Sequence, residues 1–195
     1  MNSESRLAMD VKIQNVVAVA TLGQRLDLLA ILKSFRNAEY RPKRFPGLVF
    51  RLKRPKTATL IFRTGKTVYT GAKSEKQAYS AVRKVVRELR KADIIVIGEL
   101  EVYITNMVAS AELVGDIDLE VASAVLDDIM YEPEQFPGAI YRMDEPKVVM
   151  LLFASGKIVI TGAKREEQVH EAADKILAIL MDNELLYDLR EQKEE

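Results

Sequence analysis

Two asparagines, Asn15 and Asn106, interrupt apolar runs rich in β-branched residues, VKIQNVVAVA and VYITNMVASA. An amide in such a run is costly to bury unless something completes its hydrogen bonds, either a neighbour in the fold or a ligand with polar groups. Phe45 and Phe136 each open a Phe-Pro-Gly triplet, at the mouth of a turn where a ring has little core to enter. Phe62 and Phe153 follow in apolar runs, with Arg51, Arg142, Lys66, Lys157, Lys73 and Lys164 as cations near by. Amides, exposed rings and cations describe a surface that grips a ligand rather than one that makes or breaks bonds.

Residue types that serve enzymes are sparse. The chain has no cysteine, which excludes thiolate metal sites, disulfides and cysteine nucleophiles. Its one histidine, His170, lies in a charged helical stretch with no Ser or Asp partner suggested. Asp127-Asp128 and Glu166-Glu167 read as exposed helix faces, and no two carboxylates are placed in a defined cleft. Gly65-Lys66-Thr67 imitates the end of a phosphate-binding loop, but Leu60 stands where that motif needs glycine, so a hairpin turn is expected. No catalysis and no cofactor are expected.

The 195 residues are 48% hydrophobic and 30% charged, which excludes a wholly disordered chain, a collagen and a simple coiled coil. No stretch approaches a membrane span and MNSESRLAMD has no signal-peptide core, so a soluble intracellular protein is expected. The net charge of zero conceals an asymmetry: residues 11–100 carry 20 Lys and Arg against 6 Asp and Glu, whereas 101–195 carry 8 against 21. Nucleic acid is the first partner suggested for the basic half.

The chain also contains itself twice. RFPGLVFRLKRPKTATLIFRTGKTVYTGAK is echoed 91 residues later by QFPGAIYRMDEPKVVMLLFASGKIVITGAK, and 31 of 79 aligned pairs are identical without a gap. The expected organisation is a tail at 1–10, repeats at 11–98 and 99–189, and an acidic tail at 190–195, where REQKEE reads as a solvated end. Each repeat reads as strand, helix, an antiparallel meander of short strands, and a long helix. Asp27 suits a helix cap, Ser74 with Gln77 forms a capping box, and the second repeat has Arg165 where Ser74 stands in the first.

Period-two alternation places Asn15, Val17 and Val19 on one strand face, together with Val49, Arg51, Leu60, Phe62, Val68 and Thr70. Val16, Ala18, Leu48, Phe50, Leu52, Ile61 and Tyr69 take the other. Both faces are apolar, yet two helices per repeat cover only one. The open face is an interaction surface, or it closes against a second copy of the chain. A flat, polyanionic, pseudo-twofold ligand that accepts apolar wedges matches duplex DNA entered from the minor groove. There cations meet phosphates, amides meet A N3 and T O2, and phenyl rings pry base steps apart. A pseudo-dimeric module that takes an apolar protein on the same face is the alternative.

On NAEYRPKRFPG with MYEPEQFPG, LIFRTGK with LLFASGK, and TGAK twice, the sequence resembles the TATA-box-binding proteins in their archaeal form, over about residues 11–185. The resemblance implies an α+β saddle: two pseudo-symmetric repeats forming one curved ten-stranded antiparallel sheet, four helices on the convex face, and DNA beneath the other. It implies wedge pairs Phe45 with Phe62 and Phe136 with Phe153, and central amides Asn15 and Asn106. Val17, Val68, Val108, Val159, Leu60 and Leu151 would form the apolar floor, beside the Thr70 and Thr161 hydroxyls. Arg51, Arg142, Thr64, Ser155, Lys66 and Lys157 would form the phosphate-contacting rim. Glu132, Glu134 and Gln135 would lie in the loop that receives transcription factor B, ahead of the RNA polymerase machinery. Gln135 departs from the eukaryotic pattern, which has Leu there. The basic helix face Arg83, Lys84, Arg87, Arg90 and Lys91 has an acidic counterpart in the second repeat, so partners on that side do not transfer. The implied location is the archaeal cytoplasm with the nucleoid, or the nucleus of a eukaryote.

Overall fold

The computed structural model of the protein describes residues 9–96 and 100–187. The REQKEE tail, most of the N-terminal tail and positions 97–99 of the linker lie outside the described residues. In chain order the elements are β1 (Asp10–Thr21), α1 (Leu28–Ser34), β2 (Ala38–Glu39), β3 (Leu48–Lys53), β4 (Lys56–Ile61), β5 (Lys66–Ala72), α2 (Glu75–Lys91), β6 (Glu101–Glu112), β7 (Asp116–Ile117), α3 (Leu119–Val125), β8 (Ile129–Met130), β9 (Gly138–Met143), β10 (Val148–Phe153), β11 (Lys157–Ala163), α4 (Glu166–Asp182) and β12 (Leu186–Tyr187). Ten strands are ordered β2-β3-β4-β5-β1-β6-β11-β10-β9-β8 in one sheet, and the ladders within each repeat are antiparallel. A separate two-stranded ladder, β7 with β12, was not expected from the sequence. The run from Ala38 to Pro42 supplies only a two-residue strand, because Pro42 lacks the N–H that a ladder needs.

The chain divides into two compact units, Gln14–Asn106 and Met107 onward with the segment up to Ile13. In the first, alternation is strict: Val16, Ala18 and Ala20 are buried while Asn15, Val17 and Val19 are half-exposed. Leu48, Phe50 and Leu52 on β3, with Ile61 and Tyr69, join them on the buried side. Leu28 and Ile31 of α1, and Ala78, Ala81, Val82, Val85, Val86 and Leu89 of α2, form the buried helix surface of this unit. The second unit repeats the scheme with Met150, Leu152, Ile158 and Ile160 on its strands and Val169, Ala172, Ala173, Ile176 and Leu180 on α4.

Helix ends follow the residues available. Asp27 and Asp118 cap α1 and α3, each accepting from two backbone N–H groups. Ser74 caps α2 through the Gln77 N–H. Gln77 Oε1, however, accepts from Lys73 N at 3.0 Å rather than from the cap residue itself. Gln168 does the same to Lys164 N at 2.9 Å, so the half of the box that α4 retains survives without its serine. Lys84, expected on a free basic face, donates to the Arg54 carbonyl at 2.5 Å, and its repeat partner Lys175 donates to the Glu145 carbonyl at 2.7 Å. These lysines tie each long helix to the β3–β4 or β9–β10 turn.

The first core is the more polar. Thr59 and Tyr69 face each other across β4 and β5, and among the described residues neither hydroxyl has a hydrogen-bond partner. Burial is the largest cause pushing the Tyr69 hydroxyl up to about 12. Met150 and Ile160 occupy the matching positions in the second repeat. Removing an unpaired buried hydroxyl costs nothing in lost bonds. Tyr69→Phe is therefore expected to leave stability unchanged or raise it by up to about 1 kcal/mol in urea unfolding, and a loss larger than that would show the hydroxyl to be paired.

Asp118 gives a pH-dependent prediction. Hydrogen bonds from Val121 N, the Tyr187 hydroxyl and Glu120 N hold its carboxyl below the usual carboxylate range, and Tyr187 Oη lies 2.7 Å from it. A depressed carboxyl stabilises fully above its unfolded pKa, near 3.9, and the contribution fades as pH falls through the lower folded value. Asp118→Asn should flatten the acid limb of the stability profile below about pH 4; an acid limb identical to that of the parent protein would remove Asp118 from it.

Candidate nucleic-acid interface

Alternation along the strands brings the expected residues of each unit onto the face that helices leave open. In the first unit Val49, Leu60, Val68 and Val19 line up directly across β3, β4, β5 and β1. A second row runs Arg51, Ala58, Thr70. The second unit repeats both rows as Ile140, Leu151, Val159, Ser110 and as Arg142, Val149, Thr161, Val108. Of the apolar members of these rows, Leu60, Val68, Leu151, Val159 and Val108 were expected at the site and Val19 and Val49 on the same face; Ala58, Ile140 and Val149 were not named, and their alternation is the signal that finds them.

Each unit carries a phenylalanine pair at its Phe-Pro-Gly triplet. Phe45 and Phe62 meet edge to face at 5.8 Å between ring centres, and Phe136 and Phe153 repeat this at 5.9 Å with the same interplanar angle of 66°. Phe45 and Phe136 are 39% and 37% exposed, so neither ring is tucked beneath a helix. The glycine of each Phe-Pro-Gly triplet seats the pair. A Cβ on Gly47 would stand 2.6 Å from Phe45 Cε1 and 3.0 Å from Phe62 Cε1; on Gly138 the matching distances are 2.8 and 3.1 Å. Sequence reasoning assigned these glycines to turns, and the residue-type signal for their second role is their fixed place beside Phe in both repeats.

Asn15 is held by the fold. The β1–β5 ladder shifts register between Val16 and Ala18, at Gly71, whose φ is +96°. The Gly71 N–H donates to Asn15 Oδ1 at 2.7 Å, and Asn15 Nδ2 donates to Thr70 Oγ1 at 3.1 Å. Because a backbone N–H can only donate, the amide oxygen is fixed toward Gly71, and the NH2 group is the part turned to the open face. Gly162 in β11 has φ +103° at the corresponding register shift. Asn106 is half-buried at the equivalent position of β6.

The expected rim cations are exposed: Arg51, Lys66, Arg142 and Lys157. Arg51 lies 3.8 Å from Glu39, a solvated contact of little strength. Lys73 Nζ donates to the Gln14 carbonyl at 2.6 Å, which uses it to pin β5 to β1. Thr64 Oγ1 accepts from Lys66 N at 3.4 Å within the β4–β5 turn, and Ser155 is exposed in the matching turn. Gly65, φ +89°, closes that turn as a hairpin with Phe62 N bonded to Lys66 O, and no phosphate loop forms. Glu132, Glu134 and Gln135 are exposed on a turn in which Gln135 and Phe136 both donate to the Glu132 carbonyl. The loop of the first unit has the same turn, with Arg41 and Lys43 in place of the two acids and Arg44 in place of Gln135.

His170 is exposed, and among the described residues no group of three or more acidic or imidazole side chains could hold a metal. No described helix is long and apolar enough to cross a membrane.

A duplicated α+β unit that buries one sheet face under helices and leaves the other open, bearing paired rings and amides, defines the fold class. The family model described as transcription factor TFIID (or TATA-binding protein, TBP) matches residues 10–92 and again 101–183. A TATA-box-binding protein of Sulfolobus acidocaldarius is 49% identical over 183 residues, 94% of this chain and 93% of that protein. One of Pyrodictium occultum is 56% identical over 164 residues, covering 84% of this chain and 82% of the other. The solved structure of Methanococcus jannaschii TBP superposes with a TM-score of 0.81 at 48% identity, covering 89% of this chain and all but 1% of that one, 99%. The chain belongs to the TATA-binding protein family, whose members are DNA-binding transcription factors and not enzymes.

The glycine seat yields a prediction. Gly47→Ala should cost less than about 1 kcal/mol, because the atoms its Cβ meets are all ring carbons and the exposed Phe45 ring can swing outward, but it should displace Phe45 from Phe62. Ring-to-ring NOEs left as strong as in the parent protein would show that the glycine is not what sets the pair.

Proposed function

We propose that the protein is a general transcription factor that grips the TATA element of promoters from the minor groove and bends it. Supporting this is one observation above others: an open apolar face in each unit, ending in a matched, half-exposed phenylalanine pair. Phe45 with Phe62, and Phe136 with Phe153, enter base steps at the two ends of the site. Leu60, Val68 and Val17, with Leu151, Val159 and Val108, lie against the widened groove floor. Asn15 donates its remaining Nδ2 hydrogen to A N3 or T O2, and Asn106 has the same role. Thr70 and Thr161 stand beside them, while Arg51, Arg142, Thr64, Ser155, Lys66 and Lys157 engage phosphates.

No bond is made or broken. Unstacking and bending cost a few kcal/mol, offset by apolar contact and by counterions released from phosphates. Flexible TA steps lower the cost, so deformability carries much of the specificity. Glu132, Glu134 and Gln135 receive transcription factor B, after which RNA polymerase assembles on the bent complex. Off DNA, a second copy of the chain can cover the same face. The protein works in the archaeal nucleoid, as its relatives' sources suggest.

Affinity for a TATA duplex should exceed that for a G·C-rich duplex of equal length, and four rim cations imply a log–log salt slope of about −3.5. Phe136→Ala with Phe153→Ala should keep the fold, abolish the bend at one end in an energy-transfer assay and weaken binding by roughly tenfold or more. An undiminished bend would refute the wedge assignment, and a salt-insensitive, sequence-blind interaction would favour an apolar protein partner instead.

A further inference from the structure

The duplication supplies an internal control for every surface position. Residues 22–50 carry six Lys or Arg and two acids; the matching residues 113–141 carry no Lys or Arg and seven acids. The reversal continues in the long helices. One outward stripe of α2 reads Arg83, Arg87, Arg90 and Lys91; the same stripe of α4 reads Asp174, Ala178, Met181 and Asp182. All eight side chains are exposed. The buried sides of both helices are apolar, so packing against the sheet does not demand the difference.

The basic stripe borders a groove of about 520 Å³, with Val86 and Leu100 as its apolar floor. Glu88 lies 3.8 Å from Arg87 and 3.4 Å from Lys91, solvated pairs of little strength that leave the groove positive. Arg90 Nη2 donates to the Val96 carbonyl at 3.3 Å, which holds one wall in place. Phosphates alone would use the cations and leave the floor bare. A protein segment that carries an apolar side chain among acids uses both. The stripe of α4 is such a segment: Met181, 51% exposed, lies on one side of the helix with Asp174, Ala178 and Asp182. Lys175, the cation nearest that stripe in sequence, is drawn away to the Glu145 carbonyl and to Glu171.

We infer that the α2 groove of one copy takes the α4 stripe of a second copy of this chain. Met181 enters over Val86 and Leu100 as the desolvated centre, and Asp174 and Asp182 meet the arginines and Lys91 at its edge. The two stripes differ, so the contact is head-to-tail and each copy offers both halves of it. It uses the helix side of each unit, which leaves the open face to its own ligand, and it does not depend on what that ligand is.

Sedimentation equilibrium tests this on the full chain, bound to one equivalent of a single-site TATA duplex so that the open face is occupied. The chain is held at roughly 100 μM, which half-forms a contact whose Kd has that value. One variant carries Arg83→Asp and Lys91→Asp, the residues of the second repeat; another carries Asp174→Arg and Asp182→Lys, those of the first. The parent should associate at low salt and weaken by roughly tenfold between about 50 mM and 0.5 M. Each variant alone should stay single, because like charges then oppose each other. An equimolar mixture should associate again, since the untouched α2 of one variant meets the untouched α4 of the other. Met181→Ser should weaken association by roughly fivefold at every salt concentration. Should a doubly reversed variant fail to melt with the parent, Arg83→Gln and Asp174→Asn carry the same test, each with a loss of roughly threefold. A parent that stays single at every salt concentration overturns the inference, as does a variant that associates like the parent or a mixture that stays single. If low-salt association requires excess duplex and disappears with the α2 variant alone, the stripe takes nucleic acid and a second copy is wrong.

Discussion

Each unit has a sheet with two apolar faces and helices for only one of them. Burial of Phe50, Ile61 and Tyr69 against the α2 residues Val82, Val85 and Leu89 in the first unit, and of Met150, Ile158 and Ile160 against Val169 and Ile176 of α4 in the second, completes a core without help from the other side. The open face is therefore exempt from holding the fold together. Its leucines and valines remain in contact with water, a standing cost of roughly 25 cal/mol for every square ångström that a ligand could cover. A ligand that covers both rows at once recovers that cost, and a bent duplex with an opened minor groove has the necessary breadth. The same division explains why ring pairs can stand at the ends of the face. They rest on Gly47 and Gly138, not on the core, so they can enter a base step without disturbing what stabilises the protein.

Polar recognition on that face is rooted in a backbone irregularity. A bulge at Gly71 turns one N–H away from the β1 ladder, and the Asn15 side-chain oxygen Oδ1 accepts from it. That bond settles which end of the amide faces outward, and it does so before any ligand arrives. An amide free to flip would offer donor and acceptor equally, whereas this one offers a donor, which suits the acceptor-only edge of A·T pairs in the minor groove. Thr70 shares the amide's hydrogen bonds and holds its plane. Local strand structure thus dictates the hydrogen-bond polarity of this amide.

Much of this could be read in the sequence because its signals are periodic or repeated. Alternation of two assigned the faces residue by residue, the 91-residue offset fixed the register of one repeat on the other, and Asp27 and Ser74 marked helix starts. What escaped depends on contacts between residues far apart in the chain. Asn15 meets Gly71 across 56 residues, and no composition rule announces a bulge partner. Lys84 looked like one more cation on a basic helix until its ammonium was found on the Arg54 carbonyl. Gly47 read as a turn residue because its backbone does turn, while its lack of a side chain serves the rings. The β7–β12 ladder joins two-residue strands too short to show any period.

Duplication then explains where the two halves agree and where they part. Positions that meet the proposed ligand are nearly the same in both: Asn, Val, Phe, Arg, Leu, Lys and Thr recur, with Thr64 against Ser155 the mildest of changes. Positions under helices are free to drift provided volume is kept, so Thr59 and Tyr69 stand opposite each other in one core where Met150 and Ile160 fill the other. The segments 22–50 and 113–141 do neither. They keep the backbone and invert the charge, which drift does not produce across so many positions at once. A duplex is close to twofold symmetric, so as the proposed ligand it would place matching demands on the two repeats. An assembly that must proceed in one direction from that duplex needs a feature symmetry cannot provide, and within this chain the reversed charge is the largest such feature.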